Sequence, residues 1–343
     1  MRRVCVLMLG LLLCMAPAIL HAHAYSEREE VRNFIRDMTA RHGFEQRELA
    51  QIFARTERLQ AVLTAIRPSS DARTRTWSEY RALFLSQARI DLGLEFWDAQ
   101  RETLARAERA FGVPAAYIVA VIGVETFYGR RTGRWRVIDA LTTLAFDYPP
   151  RRKFFLGELE NYLLYARSAG IDVFSVKGSY AGAIGIPQFM PGSYLRYAID
   201  FDGDGFADLR ESPADAIGSV ANFLKEHGWR RGGTVLLDVD VPRSGHEPYA
   251  DGEMRPRHTL EALAKVGVAP RLETGAREVP ADTLAVLIEL PDAGRPSEFR
   301  LGFQNFYVLT RYNRSTVYAA AVHDLAQALS AARPVEDTLE VRK

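Results

Sequence analysis

The segment from Pro114 to Gly129 places the tightest limit on what this chain can fold into. Proline is tolerated where a first helical turn needs no N–H, and glycine is favoured where a helix stops. Between them Ile118, Val121, Ile122 and Glu125 recur at three- and four-residue spacing. The spacing predicts a helix with an apolar stripe, and Glu125 lies on that stripe. A carboxyl there loses hydration, which disfavours its charged form and raises its pKa toward the range a general acid needs near neutral pH. The other physical outcome is a buried glutamate paired with Arg130, Arg131 or Arg134, all close in sequence.

Around this segment the pattern is mostly helical. Val31, Phe34, Ile35 and Met38 form one stripe, Leu49, Ile52, Phe53 and Leu59 another, and Leu94, Phe96, Leu104 and Ala107 a third. These predict an N-terminal helical lobe over residues 25–110. The helical reading continues over 111–231, interrupted by loops at 148–152, 177–191 and 200–215 that are rich in Gly, Pro and Asp. Beyond Gly232 the period changes: residues 235–241 and 284–290 read as strands, with a short helix near 260–264 between them. A small mixed α/β lobe is expected over 232–300. The chain then returns to the core over 301–343, with a helix from Ser315 to Ala332. The fold class expected is mainly α, of the α+β kind.

With 343 residues the chain can bury a substantial core without disulfides, and its net charge of +1 provides no field for nucleic acid or an acidic membrane surface. A monomer is expected. The first 24 residues read as a signal peptide: Arg2 and Arg3, an apolar run from Val4 to Leu20, then Ala22-His23-Ala24. Both cysteines, Cys5 and Cys14, fall inside it, so the mature chain has none. Lipidation at Cys14 is disfavoured because Leu11-Leu12-Leu13 precedes it where small residues are wanted. An exported, periplasmic protein is therefore expected.

Three loops could carry chemistry. Residues 177–191, K-G-S-Y-A-G-A-I-G-I-P-Q-F-M-P, combine small residues that admit a ligand close to backbone with Gln188 for hydrogen bonding and Phe189 and Met190 as an apolar face for a sugar. A tight helix-to-helix connection with a core Phe and Met predicts the same letters. Residues 200–211, D-F-D-G-D-G-F-A-D-L-R-E, match a calcium loop position for position. Asp200, Asp202, Asp204 and Asp208 stand at the carboxylate places, Gly205 at the turn, Phe206 at the backbone-carbonyl place and Glu211 at the close. Residues 305–318 crowd Tyr, Asn and Arg ahead of a helix, a combination that suits sugars and also suits an aromatic core. No H-E-x-x-H, G-x-S-x-G or phosphate-cradling loop occurs. Asp139, Asp147, Glu158, Glu160 and Asp172 are candidates for a second carboxylate, none in a motif comparable to that of Glu125.

Taken together, V-I-G-V-E-T-F-Y-G at 121–129, the 177–191 loop, D-F-D-G-D-G with D-A-I-G-S-V-A-N over 200–222, and F-Y-V-L-T-R-Y-N-R-S at 306–315 resemble the membrane-bound lytic murein transglycosylases of the B type. The resemblance covers most of the mature chain and implies a core related to goose-type lysozyme. It further implies cleavage of the β-1,4 bond between N-acetylmuramic acid and N-acetylglucosamine, with closure of a 1,6-anhydro ring. Glu125 would be the sole acid and base. Ser179, Gln188, Phe189, Met190, Tyr312, Asn313, Tyr318, Tyr80 and Arg151 would be cleft residues. Peptidoglycan glycan strands are the implied partner, and wall-synthesis proteins are possible further ones. A structural calcium is the implied cofactor, closed by Asp215 where the loop pattern alone gives Glu211. Asp215 is favoured because Ser212-Pro213 reads as a cap and first turn that present it at a helix start.

Overall fold

The computed structural model describes residues 25–67, 76–271 and 279–333. The expected signal segment, with Cys5 and Cys14, lies outside the described residues. Two units are distinguished, one ending at Glu57 and one beginning at Arg58. In the first, α1 (Glu29–His42) buries its whole stripe, Val31, Phe34, Ile35 and Met38, whereas α2 (Gln46–Arg55) buries Leu49 and Phe53, leaves Ile52 half-buried and ends before Leu59. Phe34 and Phe53 meet edge to face at 5.9 Å.

The second unit begins with α3 (Gln60–Ile66), α4 (Trp77–Phe84), α5 (Gln87–Ala99), α6 (Arg101–Phe111) and α7 (Ala115–Thr126). The third stripe is therefore broken at Gln100 into two helices. α7 differs from its expectation in three ways. Every residue from Ala115 to Gly123 is buried, so the helix has no solvated face and is wrapped by α5, α6 and two helices from later in the chain, Pro213–Glu226 and Thr316–Ala332. Pro114 is its N-cap, outside the first turn. The helix also stops before Gly129, because Phe127 and Tyr128 already take left-handed backbone, with φ of 54° and 59°. Such conformations in non-glycine residues persist only where neighbours impose them. Here an Arg89 guanidinium donates to the Gly123 carbonyl and lies 4.7 Å from the centre of the Phe127 ring. Thr126 Oγ1 donates to Ile186 O at 2.8 Å and accepts from Gly129 N at 2.9 Å.

Next come β1 (Trp135–Arg136), α8 (Val137–Asp147), α9 (Arg152–Ser168), β2 (Lys177–Gly178), α10 (Pro191–Tyr197) and α11 (Pro213–Glu226). β1 pairs antiparallel with β2, at the start of the 177–191 loop. The change of period beyond Gly232 yields β3 (Leu236–Asp240), β4 (His258–Thr259), α12 (Leu260–Lys265), β5 (Ala269–Pro270), β6 (Leu284–Leu290) and β7 (Glu298–Gly302). All strand pairs are antiparallel, in the order β4-β6-β7-β3-β5. Val239, Leu260, Leu263, Val268, Leu287 and Leu301 form a core beneath this sheet. β7 escaped the sequence reading because Glu298 and Arg300 interrupt its apolar pattern.

The chain closes with α13 (Gln304–Tyr312) and α14 (Thr316–Ala332). The aromatic stretch expected ahead of a helix is thus largely a helix itself. Ser315 caps α14 by accepting from Tyr318 N at 3.2 Å. The result is mainly helical with small sheets, as expected.

Candidate active site

Glu125 stands on the last turn of α7, which the buried helix holds against α14. Its Oε1 accepts a hydrogen bond from Tyr318 Oη at 2.6 Å. Protein crowds the carboxyl, yet part of the residue's surface stays open to solvent, the condition of a group at the bottom of a crevice. Desolvation pushes its pKa up to about 7, against the opposing pull of the Tyr318 hydrogen bond. The arginine-paired alternative does not occur. Arg130 reaches Glu95 at 3.8 Å, Arg131 lies 5.2 Å from the centre of the Phe127 ring, and Arg134 lies 4.9 Å from that of Trp135.

Three tyrosines from three helices gather here. Tyr318 is 2% exposed, and the charges of Glu125, Tyr312 and Tyr80 all act on its phenol, which burial pushes far above its usual range. Tyr312, at the end of α13, donates to Pro187 O at 2.6 Å and so anchors the 177–191 loop. Within that loop Gln188 has φ of 52°, and its Nε2 donates to Thr132 O at 2.9 Å and Gly185 O at 2.8 Å. Its amide donor is thus used internally. Ser179 Oγ accepts from Ala183 N at 3.0 Å, which leaves its hydroxyl proton free to donate.

Phe189 corrects the sequence reading. It is 2% exposed, with its ring centre 5.6 Å from that of Phe223 and 5.8 Å from that of Tyr312. It therefore supports Tyr312 from behind and presents no open face to a sugar. Met190 is half-buried at the N-cap of α10. Asn313 and Arg151 are exposed, and neither hydrogen-bonds to the Glu125 group. Arg151 stacks over Phe154 at 4.3 Å. A cavity of about 720 Å³ lies elsewhere, lined by Arg230, Arg255, Asp282 and Gln304 among others, and contains none of the expected site residues. Arg89 and Thr126, which fix the end of α7, were not legible because nothing in their local sequence marks them.

The acidic loop packs against the 177–191 loop. Ile186 N donates to Leu209 O at 2.8 Å, and Tyr194 Oη donates to Ala207 O at 2.8 Å. Asp200, Asp202 and Asp204 are exposed and bring one carboxylate oxygen each within 4.8 Å of the others. Amides of Gly203, Asp204 and Gly205 turn in toward Asp200 and hold its pKa below the usual carboxylate range. Asp215 is fully buried beneath the loop. Its Oδ1 accepts from Phe201 N at 2.7 Å and its Oδ2 from Asp208 N at 2.7 Å. Glu211 is exposed. An all-oxygen donor set of this kind suits a hard divalent cation such as calcium.

Comparison with known proteins bears on the same region. Residues 26–327 match the Transglycosylase SLT domain family. The chain is 40% identical over 318 residues to the membrane-bound lytic murein transglycosylase B of Escherichia coli strain K12, covering 90% of this chain and 85% of the relative. The soluble lytic transglycosylase SltB1 of Pseudomonas aeruginosa superposes with a TM-score of 0.82 at 44% identity, over 89% of this chain and 99% of that one. The Escherichia coli lytic transglycosylase Slt35, solved in complex with calcium, gives 0.77 at 40% identity, over 89% and 94%. Matched along nearly its whole length, the chain belongs to the SLT-domain lytic transglycosylases.

Proposed function

We propose that Glu125 serves this lytic transglycosylase as acid and then as base in cutting the β-1,4 bond between N-acetylmuramic acid and N-acetylglucosamine of peptidoglycan. The observation that carries the reading is the Glu125 carboxyl itself: desolvated, partly open, and bonded among the described residues to a tyrosine hydroxyl. Protonated Glu125 gives its proton to the glycosidic oxygen, and the bond from that oxygen to the anomeric carbon breaks. An oxocarbenium-like or acetamide-assisted intermediate follows. The carboxylate then takes the proton of the muramyl 6-hydroxyl, whose oxygen bonds the anomeric carbon and closes the 1,6-anhydro ring. One group can serve both steps because each leaves it in the state the next requires.

Ordinary glycosidases use two carboxylates. The other candidates are occupied structurally. Asp139 is buried and bonded to Arg136, Asp147 faces Arg58 at 3.3 Å, Glu158 accepts from Gly192 N at 2.8 Å, and Asp172 accepts from Phe174 N at 3.0 Å. Glu160 also has a partner. Ser179, Gln188, Met190, Tyr312, Asn313, Tyr80 and Arg151 are proposed to line the substrate path, with Phe189 behind Tyr312 and Tyr318 meeting the path through the Glu125 carboxyl it bonds. Mass spectra of products from purified glycan test the chemistry. Anhydromuramic ends are expected, and reducing muramic acid would mean that water is the acceptor.

The acidic loop is proposed to hold a structural calcium through Asp200, Asp202, Asp204, the Phe206 carbonyl and Asp215. Asp215 is favoured over Glu211 because it lies buried beneath the loop at the start of α11, held by the amides of Phe201, Asp202 and Asp208, whereas Glu211 is exposed. When bound, the ion would neutralise the crowded carboxylates and stiffen the loop that backs residues 177–191. The first 24 residues fit export to the periplasm.

A further inference from the structure

Three elements meet at one buried carboxylate. Asp324, on α14 and 8% exposed, accepts from Arg81 Nε of α4 at 2.5 Å and from Arg300 Nη1 and Nη2 of β7 at 2.5 and 3.2 Å. Arg300 is itself buried and also reaches Glu298 at 2.5 Å. Trp77, which opens α4, donates its Nε1 to Glu298 Oε2 at 2.9 Å and its backbone N to Pro291 O at 2.8 Å. Ser78 Oγ donates to Asp292 Oδ1 at 2.8 Å. The start of α4 is thus fixed to the sheet, and Arg81, one turn later, fixes it to α14.

These same helices carry the groups around Glu125. Tyr80 directly precedes Arg81 on α4, and Tyr318 lies upstream of Asp324 on α14. His323 Nδ1 shares a hydrogen bond of 2.7 Å with Tyr117 Oη, which ties α14 to α7 as well. Apolar packing alone would hold these helices as firmly, since a buried ion pair is no better for stability than a well-packed apolar set. What the carboxylate adds is register: its hydrogen bonds to Arg81 and Arg300 all form only when both helices and the strand sit in one arrangement.

We propose that Asp324 is a positioning residue that couples the sheet lobe to the placement of Tyr80 on α4 and of Tyr318, the hydrogen-bond partner of Glu125, on α14. The inference rests on the acid–base role given to Glu125 above. It assigns the lobe after Gly232 a part in shaping the site without contact with substrate.

The test uses the full chain and three variants, Arg81→Ala, Arg81→Lys and Asp324→Asn. Hydrogen exchange is followed at the α4 amides, and KM and kcat are measured on purified glycan strands. The Arg81 side chain is 46% exposed, and its removal leaves the Arg300–Asp324 pair in place, so Arg81→Ala is expected to fold. It should speed α4 exchange and raise KM, each about tenfold, with kcat within about twofold. Arg81→Lys should recover most of both. Asp324→Asn should also lower kcat, because Tyr318 shifts with α14; if it does not fold, the Arg81 pair decides. Unchanged exchange and KM in Arg81→Ala, or an Arg81→Lys no better than the alanine, overturns the proposal. Exchange does not depend on turnover, so α4 loosening in a chain that makes no anhydro sugar would sink the functional reading and leave the coupling standing.

Discussion

A carboxyl kept neutral at Glu125 opposes folding at neutral pH. Its pKa is about 7 in the native chain against an ordinary 4.5, so between these values the native state binds the extra proton. Stability from this group is therefore greatest below about pH 4.5, falls as pH rises to about 7, and is flat above; the whole loss is on the order of 3–4 kcal/mol. Glu125→Gln should remove that cost while keeping an acceptor for Tyr318. Turnover on purified sacculi is expected to drop by at least about 100-fold. The melting temperature should rise by about 3–8 °C at pH 8 and by clearly less at pH 5. A variant that melts lower than the parent at pH 8, or that keeps turning over, would contradict the assignment. Wild-type kcat should fall as pH climbs past about 7, as the acid form is lost.

Among the elements, the 177–191 loop is shaped by contacts that lie far away in sequence. Gly185 has φ of 74°, and a Cβ there would stand 2.3 Å from Leu209 O, so the loop and the acidic segment touch backbone to backbone. Gly185→Ala is therefore expected to cost about 2 kcal/mol and to lower kcat/KM through Gln188, three residues on. Thermal melting and steady-state kinetics check this; a variant with parental stability and rate would mean that the contact is not required. The helix starts at Ser212 and Ser315 were legible because capping is local chemistry: each hydroxyl accepts the N–H three residues on. The end of α7 was not legible, since the left-handed turn at Phe127 and Tyr128 is imposed by Arg89 on α5 and by the Ile186 carbonyl.

For the molecule as a whole, a cation held only by the folded state adds stability by mass action. If the loop holds a structural calcium, chelation with EGTA should lower the melting temperature by several degrees, restored by calcium, while turnover at 25 °C persists because such an ion would take no part in bond cleavage. An unmoved melting curve would argue against an occupied loop. Among the described residues no single helix is long and apolar enough to cross a membrane. By itself the sequence determined the helical periods, two of the strands after Gly232, the caps at Ser212 and Ser315, the oxygen-rich loop and the catalytic candidate, because spacing, turn chemistry and metal-ligand patterns act over a few neighbouring residues. Only the tertiary structure decided that Glu125 meets Tyr318 instead of an arginine, that Phe189 is core, and that Asp324 gathers α4, β7 and α14. Those outcomes depend on which distant side chains arrive together, and on what water is then excluded, and no local window of residues contains either.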